Sequence, residues 1–368
     1  MNKGEKYVKI KNKTIIAIKG AEENMNIKLR IVAILMSGIL FLAGCGGDKP
    51  TEVEPVPEVV NEEPEVDVAA IEIEKFFTDY VNTSERPIAV MIDNDDKNAR
   101  PQAGLDEAYL IYEMIVEGGS TRFMALYRGN NVEKIGPVRS SRHYFLDYVM
   151  ENDAIYTHFG WSPKAITDIS AFGINKINGV LGGDGDIFWR EQKFKGDWHS
   201  AYTNTEKIKD MAVRKGYRTE TEIENGINYS DTDITLPAED SAQWVNLDYS
   251  YQYSTGYKYN AEKKVYEKYI NNAPHVMQNG NTVEVKNIII ELIYDSSLGD
   301  GTDRRNVNTV GSGDGYYITN GVFEKITWTK SSRRDKTIYK REDGTELFVN
   351  AGKTIVNIIS PSATITME

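Results

Sequence analysis

The sequence predicts an α+β protein, with a mixed α/β domain followed by a β-rich C-terminal domain, carried on a disordered, lipid-anchored stalk. Three observations predict it. Between Arg86 and Ile223, short apolar runs alternate with amphipathic stretches. Beyond Ser230 the alternation gives way to strand-like runs joined by hairpin signals. Ahead of both lie a secretion-type leader and a segment rich in acid and proline.

Composition sets the outer bounds. The 368 residues are 40% hydrophobic, enough for about two folded domains. With 55 acidic against 43 basic residues, the net charge of −12 speaks against nucleic acid as a general partner. The single Cys excludes a disulfide framework and a cysteine-ligated zinc finger. No apolar run reaches the roughly eighteen residues a spanning helix needs.

The leader starts at Met25. Lys28 and Arg30 form a basic flank, Ile31 to Leu42 an apolar stretch, and Ala43-Gly44 lead to Cys45. Leu42-Ala43-Gly44-Cys45 resembles the bacterial lipobox, in which the thiol is acylated and Cys becomes the first mature residue. Residues 25–44 thus read as a lipoprotein signal peptide. Residues 1–24 read as a misassigned start or an extended n-region, with Met25 preferred to Met1 as the true start. Two acyl chains suffice for stable anchoring, so the body is expected on the outer face of the cytoplasmic membrane with only the lipid entering the bilayer.

Residues 45–74 comprise the lipidated Cys45 and a tether. From Gly46 to Glu74 there are ten Asp or Glu, one Lys, four Pro and no aromatic residue. Such a composition cannot bury enough apolar surface to offset its ordering entropy. It carries −9 and residues 1–45 carry +5, which leaves −8 on residues 75–368, so much of the mature acidity sits in a solvated spacer.

The body divides into residues 75–230 and 231–368. In the first part, Pro87–Ile92, Tyr109–Val116, Arg122–Tyr127 and Ala154–Phe159 read as strands, and Val138–Glu151, Pro163–Phe172 and Thr205–Gly216 as helices. In the second, Asn320-Gly321 and Asp343-Gly344 mark hairpins, Val285–Tyr294 holds a central strand and Asn350 opens a last one. The tyrosines Tyr249, Tyr251, Tyr253, Tyr257 and Tyr259 alternate, as cross-strand packing requires.

Chemistry-bearing residues concentrate in the first part. With Pro137 at the first helical turn, Arg139, Arg142 and His143 would share one helix face, an arrangement opposed by the helix dipole unless an anion sits there. Arg122 joins them as an anion ligand. The competing arrangement pairs these arginines internally with Glu113 and Glu117. A second set, Asp93, Asn94, Glu113, Glu117, His158 and His199, offers carboxylate–imidazole pairs for acid–base work. It lacks any metal-ligand spacing, so no metal and no cofactor is expected. No G-x-S-x-G elbow is present, and the catalytic residues, if any, are not identified by pattern. The glycine-rich stretches from Glu117, Leu181 and Gly311 match no phosphate-binding fingerprint and read as turns.

The ordered motifs Arg86-Pro-Ile-Ala-Val-Met-Ile-Asp-Asn, Ala99-Arg-Pro-Gln-Ala-Gly-Leu, Tyr112-Glu-Met-Ile-Val-Glu-Gly-Gly-Ser-Thr-Arg-Phe, Ile135-Gly-Pro-Val-Arg-Ser-Ser-Arg and His158-Phe-Gly-Trp-Ser-Pro, with a C-terminal Gly311-Ser-Gly and Gly321-Val-Phe-Glu-Lys-Ile-Thr-Trp, resemble the YerB-like lipoproteins of Gram-positive bacteria. The resemblance spans about residues 86–362 and implies a two-domain extracytoplasmic lipoprotein, with no reaction attached. It also implies site roles for Asp93, Arg100, Glu113, Glu117, Arg122, Arg139, Arg142, His158 and His199, with Tyr202 nearby. Where the family pattern has His-Asn before Tyr-Thr, this chain reads His199-Ser200-Ala201-Tyr202-Thr203.

The reading that follows is a membrane-anchored protein binding an anionic envelope ligand, such as a peptidoglycan or teichoic-acid component, or an envelope-synthesis protein. The alternatives are a cell-wall glycan or phosphoester hydrolase using a carboxylate/His pair, and a purely structural interaction module.

Overall fold

A computed structural model describes residues 68–95, 98–237 and 240–368. Cys45, the leader and residues 46–67 of the expected tether lie outside these residues. The tether's last seven residues do not: helix α1 spans Val68–Phe76. Composition averaged over the whole acidic segment hides the reason. Phe76 is buried, with its ring 4.9 Å from Tyr229 and 5.2 Å from Tyr80. That aromatic anchor rewards helix formation up to the body's edge.

The body is organised by one sheet of ten strands. Strands β1 (Ile88–Asp93), β2 (Leu110–Ile115), β3 (Thr121–Tyr127), β4 (Ile155–His158) and β5 (Lys176–Asn178) supply one half, in the order β2-β3-β1-β4-β5. The other half comes from the C-terminal part: Ile338–Arg341, Val322–Lys330, Gly311–Thr319, Asn287–Leu292 and Thr354–Ile359. The halves meet where Thr354–Ile359 lies parallel to β2, pairing Leu110 with Thr354 through Met114 with Ile358. The two stretches that the sequence separates near residue 230 therefore share one hydrogen-bonded layer. Asn320-Gly321 makes the tight turn between its flanking strands, with φ of 52° and 81°, the left-handed values a two-residue hairpin of this twist requires.

Period-two alternation decides what each face buries. Ile88, Val90 and Ile92 point into one core and Ala89 and Met91 into the other. On the first face lies a smaller antiparallel sheet built on Trp244–Ser250, Tyr253–Asn260 and Val265–Ile270, whose Val245, Leu247, Tyr253 and Tyr257 join that core. On the second lies helix α2 (Phe145–Glu151), with Phe145, Leu146, Tyr148 and Val149. Helices α3 (Pro163–Ala171) and α4 (Thr205–Arg214) form as the sequence indicates, capped by Ser162 and Asn204, whose side chains accept from the amides of Ala165 and Lys207.

One expected helix is shorter than its pattern. Residues 138–144, predicted to begin the helix ending at Glu151, are not helical. Their amides are engaged across the chain: Val138 N–H donates to Ala201 O, Arg139 to Met91 O and Ser141 to Gly160 O. The Ser140-Ser141 pair adds little helix propensity to resist this. Only from Phe145 does the backbone turn helical, and Arg139, Arg142 and His143 consequently share no helix face.

Candidate functional site

Strand β1 ends at Asp93, which is buried beside Arg122 of β3 in cross-strand register. The extended segment after Pro137 runs past this end, with Asp93 N–H donating to Pro137 O at 2.9 Å. It delivers Arg139, whose Nε lies 3.0 Å from Asp93 Oδ2 in an ion pair. From the loop 191–200 comes His199, whose Nδ1 is 2.6 Å from the same oxygen. Asp93 Oδ1 accepts from the Asn94 amide at 2.9 Å. Burial alone would raise the Asp93 carboxyl, but the His199 hydrogen bond and the Arg122 and Arg139 charges outweigh it and hold the pKa below the ordinary value. The hydrogen bond to Asp93 raises His199 above its usual value. The imidazole is therefore oriented through Nδ1, while Nε2 has no hydrogen-bond partner among the described residues and is not buried.

The other arginines are differently placed. Arg142 grips Glu117 with both arms of its fork, at 2.6 and 2.8 Å. Arg122 donates to Ser140 O at 2.7 Å and stands 4.0 Å from Glu117, its pKa drawn down to about 10 by burial first and by Arg142 next. The expected anion cluster of Arg122, Arg139, Arg142 and His143 is thus divided. Two of its members are neutralised by Glu117, and His143 lies apart, 3.1 Å from Asn306 Oδ1.

The second predicted set also splits. His158 is buried, with Nδ1 2.7 Å from Gly160 O, and burial draws its pKa down to about 4. Among the described residues it makes no hydrogen bond to Asp93, Glu113 or Glu117; the neutral ring serves the turn at Gly160. Glu113 lies between the two sheets, 3.1 Å from Lys268 Nζ, with both side chains 0% exposed. It also accepts from Tyr253 OH at 2.5 Å and Thr121 Oγ1 at 2.8 Å. Asn94 donates to Thr121 and Tyr253 and accepts from Gln102, which in turn meets His275 at 2.9 Å. Arg100 offers its carbonyl to Lys193 Nζ at 3.0 Å. Tyr202 OH accepts from Gln278 at 2.9 Å, with Lys134 over its ring at 4.6 Å. Among the described residues no group of His, Cys, Asp and Glu is arranged to hold a metal ion.

Beside the Asp93–His199–Arg139 cluster opens a cleft of about 430 Å³, lined by Arg139, Ser140, Phe159, Gly160, Arg190 and Trp198 among others. Arg190 lies over the Phe159 ring at 4.3 Å and donates to Ser200 Oγ at 3.2 Å. Among the described residues it makes no ion pair, and the acid that acts on it electrostatically is Asp197, another residue of the cleft lining. The Ser140 hydroxyl donates to Phe159 O at 3.0 Å, so it is not poised as a nucleophile. Pattern reasoning missed Arg190 and Trp198. The available signal was a Trp directly before the candidate His, in a polar stretch with no apolar period to bury it. The arrangement can bind negative charge through Arg190 and an imidazolium, and it can move a proton at His199 Nε2.

Residues 77–218 match the family described as "Protein of unknown function (DUF3048) N-terminal domain", and residues 245–356 match its C-terminal domain. The chain is 34% identical over 283 residues to the protein named "Putative lipoprotein YerB" of Bacillus subtilis (strain 168), covering 75% of this chain and 82% of that protein. It is similar to the crystal structure of the YerB protein from Bacillus subtilis with a TM-score of 0.68 and 28% identity, covering 77% of this chain and 94% of the other. With both family domains in order and this degree of identity across most of its length, the chain belongs to the YerB-like family of two-part DUF3048 proteins.

Proposed function

We propose that this protein is a lipoprotein, held through Cys45 at the outer face of the cytoplasmic membrane, that binds an anionic component of the cell envelope in the cleft beside His199. The lipobox-like Leu42-Ala43-Gly44-Cys45 and the lipoprotein relative support the anchor. One observation carries the binding reading. Arg190 makes no ion pair among the described residues, and its acidic neighbour Asp197 spends its oxygens on the amides of Lys193 and His199, whereas Arg142 is fully engaged by Glu117. Arg139 lines the same cleft, and His199, its pKa raised by Asp93, adjoins it through that shared carboxylate. Teichoic-acid and peptidoglycan fragments both present such an anion, and so does an acidic face of an envelope protein.

The test is calorimetric titration of the full chain with teichoic-acid oligomers and muropeptides. Saturable binding that weakens at least about tenfold in Arg190→Ala is expected, the loss of one charge-assisted contact. Binding that survives this substitution unchanged would sink the assignment.

A second reading rests on the 2.6 Å Asp93–His199 contact, which is the geometry of an oriented acid–base pair. On that reading the cleft hydrolyses a glycan or phosphoester bond. Turnover of muropeptides or model phosphoesters, lost in His199→Gln, is its signature.

A further inference from the structure

The cleft contains a feature that anion binding alone does not need. Trp198 is 72% exposed, although it stands among arginines rather than at a packed surface. It is not left there by a loose loop. The Asp197 carboxylate accepts from the amides of Lys193 at 3.1 Å and His199 at 2.8 Å, and Asp197 O accepts from Ser200 Oγ at 2.7 Å. Lys193 Nζ then ties the loop to the carbonyls of Asn98 at 2.8 Å and Arg100 at 3.0 Å. The backbone on both sides of Trp198 is fixed by hydrogen bonds, so the presentation of the indole at the cleft is a property of the fold.

The same cleft is lined by Arg190, which lies on the ring of Phe159, itself packed edge-on against Phe188 at 5.4 Å. The guanidinium thus rests on an aromatic floor with one arm on Ser200 Oγ and only the field of Asp197 to answer its charge, which leaves the rest of its hydrogen-bonding edge for a ligand. The floor is kept low by Gly160, where a Cβ would come within 2.9 Å of Ser140 Oγ. The Gln192 side-chain amide at the rim makes no hydrogen bond among the described residues.

We infer that the ligand taken here is an acidic saccharide, with one face of a sugar ring on the Trp198 indole and its charged group at Arg190 and Arg139. The inference rests on the anion-binding reading above and narrows it. A pyranose offers an apolar C–H face to an indole and hydroxyls to amides such as that of Gln192. A bare phosphate ion would leave Trp198 without a role. A nucleotide base would stack on one side only, since the accessible face of Phe159 is covered by Arg190.

The experiment follows tryptophan fluorescence and calorimetric affinity of the full chain with five probes: glucuronate, glucose 6-phosphate, N-acetylglucosamine, inorganic phosphate and adenosine monophosphate. Glucuronate or glucose 6-phosphate should change the emission saturably and bind at least about tenfold more tightly than either phosphate or N-acetylglucosamine. Trp198→Ala should abolish the emission change and bring the sugar acids down to the level of phosphate, with Trp198→Phe restoring part of the affinity. Which of the two sugar acids binds better identifies carboxylate or phosphate as the charge. Phosphate binding as tightly as the sugar acids, with Trp198→Ala silent, would overturn the saccharide and leave the anion site standing. Tighter adenosine monophosphate would replace the saccharide by a nucleotide. N-acetylglucosamine binding equally well, unaffected by Arg190→Ala, would overturn both readings, as would no binding by any probe.

Discussion

Two regions of this molecule use the same residue types to opposite ends. Between the two sheets, Glu113 and Lys268 face each other at 3.1 Å with no exposure, and Tyr253 and Thr121 satisfy the remaining carboxylate oxygen. At the end of β1, Asp93 binds His199 and Arg139, yet the cluster opens on a cleft where Arg190 makes no ion pair among the described residues. In the sealed region Glu113 and Lys268 answer each other's charge. The open region leaves Arg190 without an ion pair, and a protein keeps such a cation only where solvent or a ligand can answer it.

The largest expected effect lies in the sealed region. Glu113→Gln or Lys268→Met leaves one buried charge without its counter-ion, and either should cost about 3–5 kcal/mol in denaturant unfolding. The double substitution should cost less than the sum, since it removes both charges. A cost below about 1 kcal/mol for either single change would show that the pair is not sealed.

Next comes a contrast between two arginines. Arg142→Ala breaks the fork on Glu117 and should lower stability by about 1–3 kcal/mol while leaving anion affinity within about twofold. Arg190→Ala should do the reverse, leaving the unfolding midpoint nearly unchanged while weakening binding. If Arg142→Ala were the one to abolish binding, the division between sealed and open charges would be wrong.

The histidines sharpen the same comparison through pH. His158, drawn down to about 4 by burial, binds its proton more readily in the unfolded chain. It therefore reduces stability progressively as pH falls from about 6.5 towards 4. His199 has the opposite sign. Its raised folded pKa contributes stability that is present below the unfolded value and lost as pH rises through the folded one. Asp93, held low, contributes stability above its unfolded pKa that is lost as pH falls through its folded value. Imidazole resonances followed by NMR should titrate far apart, His199 above 6.5 and His158 near 4. The smallest effect belongs to the Lys134–Glu191 pair, whose side chains are 31% and 44% exposed; Lys134→Ala should cost under about 1 kcal/mol.

Much of the fold was legible locally. The strands from Ile88, Leu110, Thr121 and Ile155 follow apolar runs, and Ser162 and Asn204 cap the helices that periodicity indicates. The joint between β2 and Thr354–Ile359 was not, because parallel pairing across more than two hundred residues leaves no trace in either segment. The over-long helix at Val138 failed for a related reason, since Met91, Ala201 and Gly160 claim amides that local pattern assigns to a helix. At the site, Asp93, Arg139 and His199 were found by residue type. Lys268 and Arg190 were not, since each matters through a partner that it has or lacks in space, and that property is invisible along the chain.

The central claim is that the His199 end of the sheet receives an anion. It is tested most directly by following the His199 imidazole resonances of the full chain while inorganic phosphate is added at constant pH and ionic strength. The account predicts a saturable shift at Nε2, an upward move of the His199 pKa, and loss of both in Arg190→Ala, with His158 unmoved. Resonances of His199 that stay fixed throughout, or that shift equally in Arg190→Ala, would contradict it.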